Sequence, residues 1–243
     1  MENIDFQRKI AMAARALAEW GVGDSIGGHI SLRVPGEDAY WTHILDPTLE
    51  ELRPEHVVKL DWDNNVIYGE GFISPGIDFH SGIYQMRPDV NAIVHTHGPW
   101  TTAFAAKYRP PKMYQNLCTF FYKNCAIAPD DNIAQIGPVL GDNTTVLIPW
   151  HSGITVGSNL GRATALNIVL EMVAELDVRL SGTDATEMPE ERCEDIRKLV
   201  ESAGYLERMW QLSLRKMERT MKSADAVDPF PIDDWRTLFP FGS

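Results

Sequence analysis

At 243 residues the chain can bury a sizeable core as one domain or a tight pair. Its 44% hydrophobic and 23% charged residues are those of an ordinary globular protein, and a net charge of −12 argues against nucleic acid or an anionic membrane as partner. Three cysteines (Cys118, Cys125, Cys193) without a C-x-x-C pair point to reduced thiols in a cytoplasmic setting.

The stretch Met1–Phe6 has neither a basic nor an apolar leader region, so no signal peptide is expected. No apolar run approaches the roughly 20 residues of a membrane span. Residues 4–20 are predicted as a helix that Gly21 stops. The following Gly23-Asp24-Ser25-Ile26-Gly27-Gly28 is a turn leading into a short strand from His29. Its paired glycines either approach a ligand or simply form a hairpin. Short strands are expected at 40–45, 57–61 and 66–68, with a turn at Asp46-Pro47-Thr48 and a short helix at 49–52. A loop over 69–76 leads to a helix over 78–87 that Asp78 would cap.

Val90 to Val94 form an apolar run that reads as a buried strand and ends in His95-Thr96-His97. Side chains two apart on a strand share a side, so His95 and His97 can share one ion. His151, after the apolar run Val146–Trp150 and before a turn at Gly153, is the third candidate. Three imidazoles with an open position suit a divalent metal that also binds substrate. A lone histidine in such a run is more often a core residue, so the spacing alone does not decide.

Further along, a helix is predicted over 101–107, a strand over 119–126, a helix over 133–140 and a strand over 145–149. Leu160 to Leu180 carries an apolar stripe fit to cover one sheet face, and 189–222 forms a second helical region. The domain is drawn over 1–222. The apolar tail 223–243 is expected to pack on its own or a neighbouring subunit. Short strands mixed with helices suggest an α/β layered domain with a mostly antiparallel or mixed sheet.

Four ordered segments resemble the class II aldolase/adducin family: Gly28-His29-Ile30-Ser31-Leu32-Arg33, Asp46-Pro47-Thr48, Phe79-His80 through Arg87-Pro88-Asp89-Val90 to His95-Thr96-His97, and Trp150-His151-Ser152-Gly153. The resemblance spans about residues 5 to 220. It implies a three-layer α/β/α sandwich around a mostly antiparallel sheet, commonly a homotetramer with active sites between subunits. It also implies a metal held by His95, His97 and His151, zinc foremost, with manganese or iron as alternatives. Substrate contacts would fall on Gly28, Thr48 and Ser74.

The departures shape the functional reading. Where the sugar-phosphate aldolases have a proton-shuttling glutamate, this chain has Gly76, with Asp78 two positions later. His29 stands where they carry a phosphate-binding asparagine, and Leu49 and Pro75 replace a glycine and a serine of the phosphate pocket. An unphosphorylated substrate is therefore expected. The chemistry that survives is electrophilic. Decarboxylation needs no base to start it and is placed ahead of retro-aldol cleavage. His29 is a carboxylate partner or proton donor, with His80 and Tyr114 as other donors; Tyr114 is equally well read as packed beside Pro110-Pro111. The aromatics near these segments either line a pocket for an aromatic acid or fill the core. Two alternatives stay open: a non-haem iron oxygenase on the same histidines, and a non-catalytic adducin-like binding module.

Overall fold

Eight strands share one sheet: β1 (His29–Arg33), β2 (Ala39–His43), β3 (Val57–Asp61), β4 (Val66–Tyr68), β5 (Ala92–Thr96), β6 (Cys125–Ile127), β7 (Thr145–Ile148) and β8 (Ser152–Gly157). This computed structural model describes residues 2–23 and 26–240; the turn expected at Asp24-Ser25 and the last three tail residues lie outside them. The strand order is β4-β3-β2-β1-β5-β8-β7-β6. Every pairing is antiparallel except β6 with β7.

Helices cover both faces. On one side pack α1 (Asn3–Ala18), α3 (Pro99–Ala105), α5 (Leu160–Arg179), α6 (Glu190–Ser202), α7 (Tyr205–Met221) and the short α8 (Trp235–Leu238); on the other lie α2 (Asp78–Met86) and α4 (Ile133–Leu140). The period of two along β5 divides its side chains between the layers. Ala92 and Val94 join the first core and Ile93 the second. The architecture is the expected α/β/α sandwich around a mostly antiparallel sheet.

Local differences have physical causes. Residues 119–126 are not one strand: a 3₁₀ helix spans Asn116–Phe121, and only Cys125–Ile127 joins the sheet. Phe120 and Phe121 are both buried, which suits a short helix packed between helical neighbours rather than a strand with one face out. Residues 49–51 form a turn instead of a helix. Asp78 is the first helical residue of α2 and exposed; the N-cap is Ile77. The helical region 189–222 divides into α6 and α7 at Gly204, whose φ of +65° favours glycine. α5 is more than a striped cover. It packs on β5 and β8 on one side and on α7 on the other, so it is buried nearly all round.

Beyond α7 the chain folds back on α1. Arg15 donates to the carbonyls of Val227 (2.6 Å) and Asp228 (2.8 Å), Arg8 pairs with Asp234, and Phe230, Ile232, Trp235 and Phe239 are buried. Among the described residues, no helix is long and apolar enough to cross a membrane.

His43 is a structural histidine. Its Nε2 accepts from the Ile30 N–H (3.3 Å) and its Nδ1–H donates to the Ile44 carbonyl (2.9 Å). Burial pushes its pKa from 6.5 down to about 4, against the opposing pull of that carbonyl. Below pH 6.5 the unfolded chain therefore takes up the proton first, and this stabilisation is lost as pH falls toward 4. Urea unfolding of wild type and His43→Gln, which lacks the titration, should show the wild-type advantage shrinking by about 3 kcal/mol between neutral pH and the acidic end of that window.

Candidate active site

β5 is hydrogen-bonded on both edges, with His95 opposite His29 of β1 and opposite Ile154 of β8. Period-two alternation sends His95 to the same face as Ile93, toward α2, and His97 follows at the strand's end. His151 arrives on the β7–β8 hairpin. The His151 N–H donates to the Ile148 carbonyl (3.1 Å), and Trp150 holds a φ of +60° at the tip. The turn is thus at 149–151, not at Gly153. Gly153 lies inside β8, where a Cβ would come within 2.9 Å of Leu170 on α5 and 3.3 Å of Leu147.

The three imidazoles converge through their Nε2 atoms. His97 Nε2 is 3.0 Å from His95 Nε2 and 2.9 Å from His151 Nε2. Each Nδ1 faces an oxygen acceptor: His95 the Gly153 carbonyl (2.9 Å), His97 the Ile26 carbonyl (3.4 Å), and His151 the Asp131 carboxylate (3.6 Å). At 3.6 Å the last is a facing charge rather than a hydrogen bond. Protons placed on the three Nδ1 atoms leave three bare Nε2 lone pairs facing one another, an arrangement that a shared cation relieves. The donor set fits a divalent metal, with the Nδ1 acceptors fixing the ring tautomers. Burial, then the neighbouring His97 and His151 rings, push the His95 pKa down to about 3. His97 is lowered for the same reasons, burial first.

Two more histidines stand behind this group. His29 Nδ1 is 2.7 Å from His80 Nε2, and the His29 ring lies 4.9 Å from that of His95. His80 Nδ1 meets Ser31 Oγ at 2.6 Å, and Ser31 Oγ meets the Tyr84 hydroxyl at 2.7 Å. Burial holds His29 and His80 well below their ordinary pKa, and the nearby imidazoles add to it. A Cβ at Gly76 would sit 3.5 Å from His29 Nε2 and 3.9 Å from Ser74 Oγ. Ser74 and Gly76 therefore lie on the Nε2 side of His29, together with Phe79, which would be 3.7 Å from the same Cβ.

The glycines expected to approach a ligand approach the histidine strand. A Cβ at Gly27 would lie 3.0 Å from the His97 ring, and one at Gly28 would lie 3.2 Å from the His95 carbonyl. Thr48 is engaged locally: its N–H and hydroxyl both donate to Glu51 Oε2 (3.0 and 2.9 Å). Asp78 is exposed, and among the described residues no recorded contact joins it to the histidines. The ring contact of Tyr114 is with Lys112 of its own loop (5.8 Å). Of the aromatics, Phe79 packs on His29 (5.1 Å) and His95 (5.5 Å). Trp41, Phe120 and Phe121 are core, while Phe72 and Trp150 are largely exposed. The sequence pattern does not single out Ser31, Tyr84 or Asp131. Ser31 at i+2 from His29 and Tyr84 at i+4 from His80 carry a signal, same-face spacing; Asp131 carries none.

Comparisons with known proteins bear on the family and the fold. A family profile described as Class II Aldolase and Adducin N-terminal domain matches residues 8–178. The chain is 37% identical over 194 residues to a 3,4-dihydroxyphthalate decarboxylase of Arthrobacter keyseri, covering 71% of this chain and 77% of that protein. It is 27% identical over 202 residues to the decarboxylase NovR of Streptomyces niveus, covering 78% and 73%. The solved L-fuculose 1-phosphate aldolase from Glaciozyma antarctica PI12 superposes with a TM-score of 0.82 at 22% identity, covering 90% of each chain, which shows the shared fold.

His95→Ala should abolish stoichiometric metal while leaving far-UV circular dichroism unchanged. Asp131→Asn, which weakens the orientation of His151, should lower zinc affinity by roughly tenfold in a competitive chelator titration. Full metal retention by His95→Ala would remove it from the ligand set.

Proposed function

Because the chain belongs to the class II aldolase and adducin N-terminal domain family, we propose that it is a divalent-metal-dependent carbon–carbon lyase that decarboxylates a small, unphosphorylated, oxygenated acid. The observation that carries the reading is the pairing of two features in one site: three convergent Nε2 atoms, and His29 with its Nε2 toward Gly76, which carries no side chain.

The family is metal-dependent, and His95, His97 and His151 would hold the ion here, with zinc the first choice and manganese or iron the others. When bound, such an ion supplies electrophilic stabilisation of negative charge on an oxygen beside the breaking bond. The chain's own groups do the rest. Phe79, packed on His29 and His95, walls the site against water. His29 and His80 are kept neutral by burial and are weak bases, poorly suited to taking the hydroxyl proton that starts a retro-aldol cleavage. Decarboxylation makes no such demand: the carboxylate leaves as carbon dioxide, the carbon keeps the electron pair, and a donor group then delivers a proton. His29 Nε2, beside Gly76, is in place to relay that proton from solvent, regaining one as it gives one up so that the ring stays neutral.

Two features support an unphosphorylated substrate. The donors of Thr48 are already taken by the Glu51 carboxylate, and Pro75 offers no N–H. The decarboxylase relatives support an acid, and an aromatic one is compatible with Phe79 at the site wall. The reading includes a homotetramer in which a neighbouring copy brings Tyr114 to the site. The exposed Trp150 ring beside His151, 6.2 Å from the also exposed Tyr108, is a suitable surface for that neighbour.

Elemental analysis should find about one zinc or manganese per chain, and a screen of hydroxylated aromatic carboxylates should find one that releases carbon dioxide. His29→Ala should keep the metal and lose about 10²–10⁴ in kcat. Unchanged kcat in that variant removes His29 from the mechanism. Efficient turnover of a sugar phosphate overturns the substrate class, and iron with dioxygen uptake replaces the lyase by an oxygenase.

A further inference from the structure

Four buried polar side chains stand in file behind the converging imidazoles. Ser31 is two positions after His29 on β1, and Tyr84 is four after His80 on α2, so each pair shares a face of its element. The links run from the Tyr84 hydroxyl to Ser31 Oγ (2.7 Å), from Ser31 Oγ to His80 Nδ1 (2.6 Å), and from His80 Nε2 to His29 Nδ1 (2.7 Å).

Each link holds one proton, so fixing one end fixes them all. Among the described residues, the phenol O–H has no recorded acceptor other than Ser31. Tyr84 therefore donates to Ser31, and the single Ser31 proton goes to His80 Nδ1. A neutral His80 then carries its own proton on Nε2 and gives it to His29 Nδ1. A neutral His29 is left with its proton on Nε2, the atom on the Gly76 side of the ring. The reverse polarity would leave a buried phenol O–H with no acceptor, a costly defect.

We propose that Tyr84 and Ser31 are positioning residues that lock His29 in its Nε2–H tautomer, so that the site offers a neutral N–H donor to a substrate carboxylate on the Gly76 side of the ring. The carboxylate half of this proposal rests on the reading of the substrate as an acid; the tautomer half does not. A neutral donor orients a carboxylate without the deep ground-state stabilisation that a cation would give, which suits a group that must leave. It also discriminates, because an analogue lacking the carboxylate leaves the buried N–H unpaired.

The first test is ¹⁵N NMR of histidine-labelled, zinc-loaded full-length protein. Both His29 and His80 should be Nε2–H tautomers in the wild type, and Tyr84→Phe or Ser31→Ala should mix the tautomers of both rings. A wild-type His29 protonated on Nδ1, or tautomers unmoved in both variants, overturns the positioning role. The second is calorimetry with 2,3-dihydroxybenzoate and catechol as probes on the same zinc-loaded protein. The wild type should bind the carboxylated probe about tenfold more tightly. Ser31→Ala should erase most of that preference and leave catechol affinity and zinc stoichiometry unchanged. No preference in the wild type, or equal weakening of both probes in the variant, overturns the carboxylate role. The tautomers are read without turnover, so a failed carbon dioxide screen and a failed tautomer assignment are separate results.

Discussion

Because β5 is bonded to β1 on one edge and to β8 on the other, it has no freedom to slide, and the site inherits that rigidity. A one-residue slip would turn His95 to the opposite face, among the apolar side chains of α5, and bring Val94 into the site. The same register sets His29 across from His95 and places the Gly153 carbonyl where it takes the His95 Nδ1 proton. The exit of β5 is also fixed. Glu171 of α5 accepts from the Trp100 and Thr101 N–H groups (2.8 Å each), satisfying orphan donors at the start of α3 directly after His97 and Gly98. A side chain at Gly98 would run into that carboxylate, which gives glycine its reason there.

A second constraint is electrostatic. The chain is acidic overall, yet five imidazoles cluster here, three of them buried, and among the described residues the one carboxylate recorded facing these rings is Asp131 at the edge. Burial makes charging His29, His80 and His95 costly, so these bases stay neutral and keep their lone pairs and N–H groups available. Neutral nitrogen is what a cation wants as ligand and what an anion can use as donor. The site separates these roles by place. Nε2 atoms meet on the His95–His97–His151 side, and the His29 Nε2 turns to the Gly76 side. The Gly76 gap thus has a partner in His29, and the two are better understood together than as a lost residue and an unrelated substitution.

The sequence determined the family, the α/β class, most of the helices, and the three histidines that converge. These are legible because they depend on local spacing: period two in β5, helical spacing in α1, α2 and α5, and a motif order that survives divergence. It misplaced what depends on neighbours. Residues 119–126 have a strand-like composition but lie between helices, and the turn expected at Gly153 sits instead on Trp150, a residue rarely given a positive φ. Asp78 looked like a group near the chemistry, and the helix start leaves it exposed. Only the tertiary structure decided that Thr48 is occupied by Glu51, that Asp131 reaches His151, and that Ser31 and Tyr84 stand in line with two histidines. Such pairings join residues up to 53 positions apart along the chain, and no one-dimensional period records them. They exist because buried polar groups must find partners and the packed sheet offers each of them few.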